Sequence, residues 1–326
     1  MLSKLDPLTE DLVLSKPLQQ GSFLEEVIYR LEREKRLIIT RKRNGWKLFA
    51  VRTKGKWKIY TDGMNEVLCL DHVKSDLEKL GFGNKTMLVG EGIVDLDGND
   101  SFQKVQGILQ SGKEKAVKKQ TEIGFMKFMV FAVILLDGER LADPYGKHLE
   151  FINKVLGGNK FNYLLAVPVI DMTFDEAKKM VIEKKKSNKH GWEGLVLYSK
   201  DFVYSYRLDG KNPERPGGCY KWKPLYEDDF IVRTVLTDSK KKLVREVFLT
   251  QIDPETGREF PCGKFGSFSK PTRAWLHTAK LPLVIQLIFE ARYGTGKLCN
   301  KRMGEAGFRT DKKPEDCIAP KSFSGK

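Results

Sequence analysis

Short runs of β-branched and aromatic residues, separated by glycine turns, dominate the chain from Leu37 onward. RLIITRK, WKLFAVRT and WKIYTDG follow one another, with Asn-Gly and Lys-Gly turns between them. Such runs predict antiparallel strands, because glycine-containing turns suit the twist of a tight hairpin. Further strands are predicted at residues 86–95, 128–136, 163–169 and 193–198, with helix-prone connections at 71–80 and 173–186.

The rest of the chain completes an α+β fold in two domains. Residues 22–37 repeat apolar side chains at helical spacing and predict an amphipathic helix. An acidic cluster, Glu227-Asp228-Asp229, precedes a second set of short strands, so we expect domains at 1–226 and 227–326. The second domain consists mostly of short strands with one helical stretch at 273–278, which suits a small β-barrel.

The charge balance points to a polyanionic partner. The chain has 58 Lys and Arg against 43 Asp and Glu, a net charge of +15. This surplus favours nucleic acid over a membrane surface, and a basic surface that serves only solubility is the alternative. No apolar run reaches the ~20 residues that span a bilayer, and the N-terminus lacks the pattern of a secretory signal. The five cysteines form no C-x-x-C pair, so we expect a reducing cytosol and neither zinc nor a disulfide framework.

Lys42 stands at the end of an apolar strand, in the segment Thr40-Arg41-Lys42-Arg43-Asn44-Gly45. Strand geometry holds such a lysine in place just before an Asn-Gly turn. Taken alone, the segment fits a hairpin tip with surface lysines better than a catalytic site.

Two glutamates lie in apolar strands beside glycines. Glu91 stands between Gly90 and Gly92, and Glu193 precedes Gly194. A carboxylate in such a strand needs a partner, because an unpaired buried charge is costly. Carboxylate oxygens suit Mg²⁺ in metal-phosphate chemistry, and two structural salt bridges are the alternative.

Lys221 and Lys223 alternate along the strand segment Tyr220-Lys221-Trp222-Lys223-Pro224. Alternate residues of a strand point the same way, so the two ammonium groups share one face. They repel each other unless an anion lies between them, and a phosphate chain is such an anion.

In this order, the segments resemble the covalent nucleotidyltransferase superfamily of ATP-dependent DNA ligases, RNA ligases and mRNA-capping guanylyltransferases. Six motifs of that family occur in family order between residues 40 and 317. They are K-x-D-G at Lys42-Arg43-Asn44-Gly45, D-G-E at Val89-Gly90-Glu91, an adenine-stacking aromatic at Phe131, E-G-hydrophobic-hydrophobic at 193–196, K-x-K at Lys221 and Lys223, and R-x-D-K at Arg309-Thr310-Asp311-Lys312.

The resemblance implies an antiparallel-sheet nucleotidyltransferase (adenylation) domain followed by a C-terminal OB-fold β-barrel, without the helical DNA-binding domain of larger ligases. The type that it resembles is the small viral or bacterial ATP-dependent DNA ligase. It implies a monomer in the cytoplasm of a bacterium or of a virus-infected cell, with nicked duplex nucleic acid as its partner, DNA ahead of RNA, and no membrane.

The resemblance also implies roles for individual residues. Lys42 takes AMP from ATP and passes it to a 5′-phosphate, after which a 3′-hydroxyl displaces the AMP. The metal ligands are Glu91 and Glu193, for Mg²⁺ or Mn²⁺. The catalytic residues are Lys42, Lys221, Lys223, Arg309, Asp311 and Lys312. The residues that bind the nucleotide are Thr40, Arg41, Lys42, Lys47, Glu91, Phe131, Glu193, Lys221 and Lys223.

Three departures from the motifs keep alternatives open. Asn44 replaces the usual Asp, Lys47 stands where ligases mostly have Arg, and Asp62 lies where DNA ligases commonly carry Ser-Arg. An RNA ligase, or a ligase that tolerates RNA ends, is therefore the first alternative. A capping guanylyltransferase and a non-catalytic nucleic-acid-binding relative are the others.

Overall fold

The computed structural model describes residues 13–14, 16–19, 25–96, 99–157, 161–186, 192–207, 214–238, 240–292 and 295–320. The chain divides into two compact units, Met1–Lys223 and Pro224–Lys326. Mainly antiparallel sheets and helices occur together in the described residues, which confirms the predicted mixed architecture. None of the helices in these residues is long and apolar enough to cross a membrane.

The described residues contain seven α-helices, six in the first unit and one in the second. They are α1 (Glu25–Arg33), α2 (Asp71–Glu78), α3 (Phe102–Leu109), α4 (Lys113–Ile123), α5 (Tyr145–Leu156), α6 (Phe174–Lys186) and α7 (Lys270–Thr278). A short 3-10 helix covers Pro314–Asp316.

The strands of the first unit are β1 (Val13–Leu14), β2 (Leu18–Gln19), β3 (Leu37–Lys42), β4 (Trp46–Thr53), β5 (Lys56–Thr61), β6 (Thr86–Ile93), β7 (Asp95–Leu96), β8 (Asn99–Asp100), β9 (Lys127–Leu136), β10 (Glu139–Arg140), β11 (Leu164–Ala166), β12 (Gly194–Ser199), β13 (Tyr206–Arg207) and β14 (Cys219–Trp222). Those of the second unit are β15 (Tyr226–Asp238), β16 (Leu243–Ile252), β17 (Glu259–Phe265), β18 (Leu283–Phe289), β19 (Ala291–Arg292), β20 (Leu298–Cys299) and β21 (Arg302–Phe308).

The helix predicted at residues 22–37 is shorter in the structure, and residues 22–24 lie outside the described ranges. It ends because Lys35 adopts a left-handed conformation, with a φ of 54°. The Arg36 amide then donates to the Leu31 carbonyl at 2.8 Å, and the Lys35 amide donates to the Glu32 carbonyl at 2.9 Å. These two bonds form a Schellman cap, which turns the chain directly into β3.

Two sheets face each other in the first unit. The larger has the order β10-β9-β6-β4-β5, with β11 also paired to β9, and the smaller has the order β2-β14-β12-β3. An apolar cluster with Ile38 and Tyr198 from the smaller sheet and Phe49 and Val89 from the larger fills the space between them. The outer faces are covered by helices, α2 to α5 on the larger sheet and α1 with α6 on the smaller.

The second unit is built on an antiparallel sheet of order β17-β16-β15-β18-β21. Its core contains Phe230, Val247 and Ile285 from the sheet and Leu276 from α7. Helix α7 begins with Ser269 as its N-cap, whose side chain accepts from the Thr272 amide. Among the described residues no pairing joins β17 to β21, so this sheet is open and the barrel stays a prediction.

Leu48 and Leu68 offer a matched test of the larger sheet's core. Leu48 is fully buried, whereas Leu68 is 52% exposed. We expect Leu48→Ala to lower the free energy of unfolding by about 2–5 kcal/mol through lost burial and a cavity. Leu68→Ala should change it by less than about 0.5 kcal/mol. Urea denaturation followed by circular dichroism measures both, and equal effects would contradict this packing.

Candidate active site

A cavity of about 260 Å³ lies between the two sheets of the first unit. Every residue predicted to bind the nucleotide lines it, except Glu193 and Lys223. Glu193 pairs with the lining residue Lys42, and Lys223 pairs with Glu193. The lining residues are Leu14, Lys16, Pro17, Thr40, Arg41, Lys42, Arg43, Lys47, Asp62, Glu91, Met129, Phe131, Val167, Val196, Tyr198, Tyr204 and Lys221.

Strand register brings Thr40, Val196 and Lys221 into one row of the smaller sheet. Thr40 is the partner of Val196, and Val196 is the partner of Lys221. Directly opposed residues of neighbouring strands share a face, so all three point into the cavity. The Thr40 hydroxyl also donates to the Val196 carbonyl at 3.1 Å.

A matching row crosses the larger sheet. Lys47 is the partner of Glu91, which is in turn the partner of Met129. Beyond this row the register shifts by one residue between Val89 and Gly90, so that Phe131 is an extra residue in β9. Phe131 lies unpaired in this β-bulge and lines the cavity together with Met129, which stands two residues earlier on the same face of β9.

Glu193 joins two of the predicted catalytic lysines. Its carboxylate accepts from Lys42 through Oε2 and from Lys223 through Oε1, the latter at 2.8 Å. Gly194 is the register partner of Lys42, and a Cβ there would collide with the Trp222 carbonyl oxygen. The glycine after the glutamate is therefore required by the close approach of β12 to β14.

Burial and crowded charges shift the pKa values of these groups. Burial opposes ionisation of Glu193, but Lys42 and Lys223 outweigh it, so the pKa of this carboxyl lies below its usual range. Burial raises the pKa of Glu91 to about 7, with Glu193 adding to the shift. Burial next to Lys42 lowers the pKa of Lys221 to about 8.

Lys47 shares a carboxylate with a lysine near the N-terminus. Asp62 contacts Lys47 Nζ through Oδ1 and Lys16 Nζ through Oδ2, both at 3.1 Å. Burial lowers the pKa of Lys47, although Asp62 opposes the shift. Burial acts to raise the pKa of Asp62, but the two lysines reverse this and lower it. The sequence analysis named Asp62 only as a departure and missed Lys16, because nothing local indicates that residues 46 positions apart meet.

The sequence analysis also missed Asp100 and Trp192. The Asp100 side chain is fully buried and pairs with Arg41 at 3.0 Å and Arg43 at 2.9 Å. The Arg41 guanidinium lies over the Trp192 ring, 4.4 Å from its centroid. No local pattern marks an aspartate 57 residues from Arg43 as the partner of these arginines.

No protein-family model matches the chain, and no curated protein matches it. Solved structures do. One from a structure-function analysis of Lig E DNA ligases aligns over 91% of this chain and 98% of its own, at 15% identity and a TM-score of 0.63. Another, Pmar-Lig_Pre, aligns over 92% of this chain and 68% of its own, at 15% identity and a TM-score of 0.64.

The chain has the fold of the DNA ligases. Of the residues that the resemblance to ligases identified, Arg309, Asp311 and Lys312 lie in the second unit. Arg309 pairs with Asp311 at 2.6 Å and with Asp229 at 3.3 Å, and Lys312 pairs with Asp229 at 2.5 Å. The bond from Arg309 lowers the pKa of Asp311 to about 2. Asp229, a residue of the same unit, thus holds Arg309 and Lys312 of the R-x-D-K segment together.

The carboxylates of Glu91 and Glu193 fit a magnesium ion whose other ligands are phosphates and waters. Among the described residues no group of three or more His, Cys, Asp or Glu side chains is arranged for a metal. Mg²⁺ is usually bound through one or two carboxylates, with substrate phosphates and waters as its other ligands. Glu91 and Glu193 supply that number. The raised pKa of Glu91 reflects a carboxylate that a nearby cation would stabilise.

Glu91→Gln tests the electrostatics of this cavity. Folding raises the pKa of Glu91 from 4.5 to about 7. The protonated carboxyl therefore contributes to the free energy of unfolding in full below pH 4.5, and this contribution is lost as the pH rises through about 7. We expect Glu91→Gln to be more stable than wild type at pH 8, by up to about 3 kcal/mol, and to match it near the ordinary pKa of a glutamate. Urea denaturation at both pH values measures this. A difference independent of pH would show that Glu91 ionises normally.

Proposed function

We propose that the protein is an ATP-dependent polynucleotide ligase that seals 5′-phosphate/3′-hydroxyl breaks in nicked duplex DNA through a lysyl-AMP intermediate on Lys42. The observation that carries this proposal is the Lys42–Glu193 pair at the wall of a lysine-rich cavity, in a chain with the ligase fold. The similar structure from the analysis of Lig E DNA ligases supports DNA as the substrate.

The first step forms a bond between Lys42 Nζ and the α-phosphorus of ATP as the bond to the pyrophosphate oxygen breaks. Lys42 must lose a proton to solvent before it attacks, because only the neutral amine is nucleophilic. Glu193, whose lowered pKa makes it a weak base, holds the Lys42 Nζ in place by accepting from it. Because β3 is paired along its length with β12, the lysine and the glutamate are held on neighbouring strands. Such positioning supplies much of the rate in phosphoryl transfer.

The other lysines of the cavity bind phosphate in this proposal. Lys221 faces the cavity beside Thr40, and Lys223 is held by Glu193. A phosphate beside Lys221 would offset the burial that lowers the pKa of its amine. Glu91 and Glu193 would hold Mg²⁺, which would supply positive charge beside the transferring phosphoryl group. Phe131 stacks on the adenine, and Thr40 lies on the opposite wall.

The second unit serves the first step and nucleic-acid binding. We assign it to the OB-fold, and we assign Arg309, Asp311 and Lys312 to orienting the pyrophosphate. The Asp229 carboxylate that pairs with Arg309 and Lys312 keeps their cationic groups together. The net charge of +15 favours binding of a duplex by a monomer with little sequence preference.

A ligase for RNA-containing breaks is the second candidate, and the cavity provides one observation in its favour. Lys47 and Lys16 are both paired with Asp62, a carboxylate where DNA ligases commonly carry Ser-Arg. The charge at this point of the cavity therefore differs from the DNA-ligase pattern.

Labelling with α-labelled ATP tests the intermediate. We expect an acid-labile, base-stable protein–AMP adduct in wild type and none in Lys42→Ala, because the phosphoramidate forms on that amine. Lys58→Ala is the matched control, since Lys58 lies in β5 of the larger sheet and outside the cavity lining. It should label like wild type. An adduct that survives in Lys42→Ala would rule out this nucleophile.

Sealing of four nicked duplexes, with DNA or RNA on each side of the break, tests the substrate. We expect the nick with DNA on both sides to be sealed fastest. Sealing with limiting enzyme should also slow steeply with added salt, because each neutralised phosphate releases a counterion. A nick with a 5′-hydroxyl is the negative control. Faster sealing of an RNA-containing break would favour the second candidate.

A further inference from the structure

Asp100 pairs with Arg41 and Arg43, the two arginines on either side of Lys42 in the sequence. Its Oδ2 forms an ion pair with Arg41 Nη2 at 3.0 Å, and its Oδ1 accepts from Arg43 Nη1 at 2.9 Å. The exposed fraction of the side chain is zero for Asp100, 8% for Arg41 and 12% for Arg43. Two buried guanidinium groups side by side are costly without a carboxylate between them. Asp100 therefore fixes where both arginines lie.

The same carboxylate holds the backbone immediately after Lys42. The Asn44 amide donates to Asp100 Oδ2 at 3.3 Å. Gly45 follows, and a Cβ at this position would collide with the Gly92 carbonyl oxygen and lie 2.8 Å from Glu91 Cγ. The turn after Lys42 is thus pressed against β6 and tied to Asp100.

Arg41 connects Asp100 to the segment that contains Glu193. Its guanidinium lies between Asp100 and the Trp192 ring, whose centroid is 4.4 Å away. Trp192 directly precedes Glu193, whose carboxylate accepts from Lys42. The chain of contacts from Asp100 through Arg41 and Trp192 therefore reaches the second member of the Lys42–Glu193 pair.

Asp100 is itself rigidly placed. The next residue, Ser101, is the N-cap of α3 and accepts from the Lys104 amide. Phe102, the first residue of that helix, stacks on Trp46 with ring centroids 5.6 Å apart. Asp100 does not line the cavity, so it acts on the site only through these neighbours.

We propose that Asp100 is a positioning residue for adenylation, which sets the geometry between Lys42 and Glu193 through Arg41 and Trp192. The inference rests on the proposed function, because the step it affects is the transfer of AMP to Lys42. Its loss should lower the rate of that transfer more than it weakens nucleotide affinity, since Asp100 itself does not line the nucleotide cavity.

Single-turnover adenylation of Asp100→Asn over a range of ATP concentrations tests this. The maximal rate should fall roughly ten- to hundredfold, as expected when reacting groups are displaced by a fraction of an ångström to an ångström. The ATP concentration that gives half of this rate should stay within about twofold of wild type.

Arg52 provides a matched control in β4. It pairs with Glu78 and lies over the Trp57 ring, 5.9 Å from its centroid, outside the cavity lining. Glu78→Gln should therefore adenylate like wild type. Thermal melts of each variant, with assays run well below the transition, separate loss of folded protein from loss of rate.

The outcomes are distinct. No adduct in wild type would mean that the proposed function has failed. Wild-type labelling with an unchanged maximal rate in Asp100→Asn would overturn the positioning role. A rise in the half-saturating ATP concentration that accounts for the whole defect would also overturn it, because Asp100 would then govern nucleotide binding.

Discussion

Repulsion among lysine ammonium groups in one small cavity is the constraint that the first unit has to satisfy. Lys42, Lys47 and Lys221 line the cavity together with Lys16. In a partly desolvated space such charges are tolerated only if carboxylates are interleaved with them or an amine loses its proton. Both occur here. Glu193 and Asp62 each accept from two lysines, and the pKa of Lys221 falls to about 8. An arrangement of this kind is ready to exchange its internal carboxylates for the phosphates of a ligand.

Strand register places the lysines and carboxylates of the cavity next to one another. Each wall of the cavity is a row of side chains drawn from three neighbouring strands, and every row contains residues that are distant in sequence. Glycines at 45 and 194 allow the backbones of these strands to approach where a Cβ would collide. The two sheets therefore fix the spacing of the charged groups. The helices that pack on their outer faces stabilise the sheets.

The sequence predicted what depends on local pattern. β3, β4 and β5 follow from alternating apolar runs and glycine turns, and α7 from its short helical stretch. The resemblance to the nucleotidyltransferase motifs indicated Lys42, Glu91, Glu193 and Lys221 as a set. Asp100 and Lys16 could not be found in this way, because their roles arise from pairings across 57 and 46 residues with no local signature. The extent of α1 also escaped prediction, since a lysine in a left-handed conformation ended the helix where a glycine would be the usual signal.

The bulge at Phe131 has a consequence for how the chain tolerates changes in length. β9 gains one residue over β6 between Val89 and Gly90, and a second between Met87 and Leu88. Each extra residue reverses the alternation of side chains between the two faces of the sheet, and the second reversal cancels the first. Side chains after both bulges therefore alternate in the same phase as those before them. A single insertion or deletion between Phe131 and Ile134 would turn every later side chain of the strand to the opposite face. Length variation among related chains at this place should accordingly occur in steps of two residues.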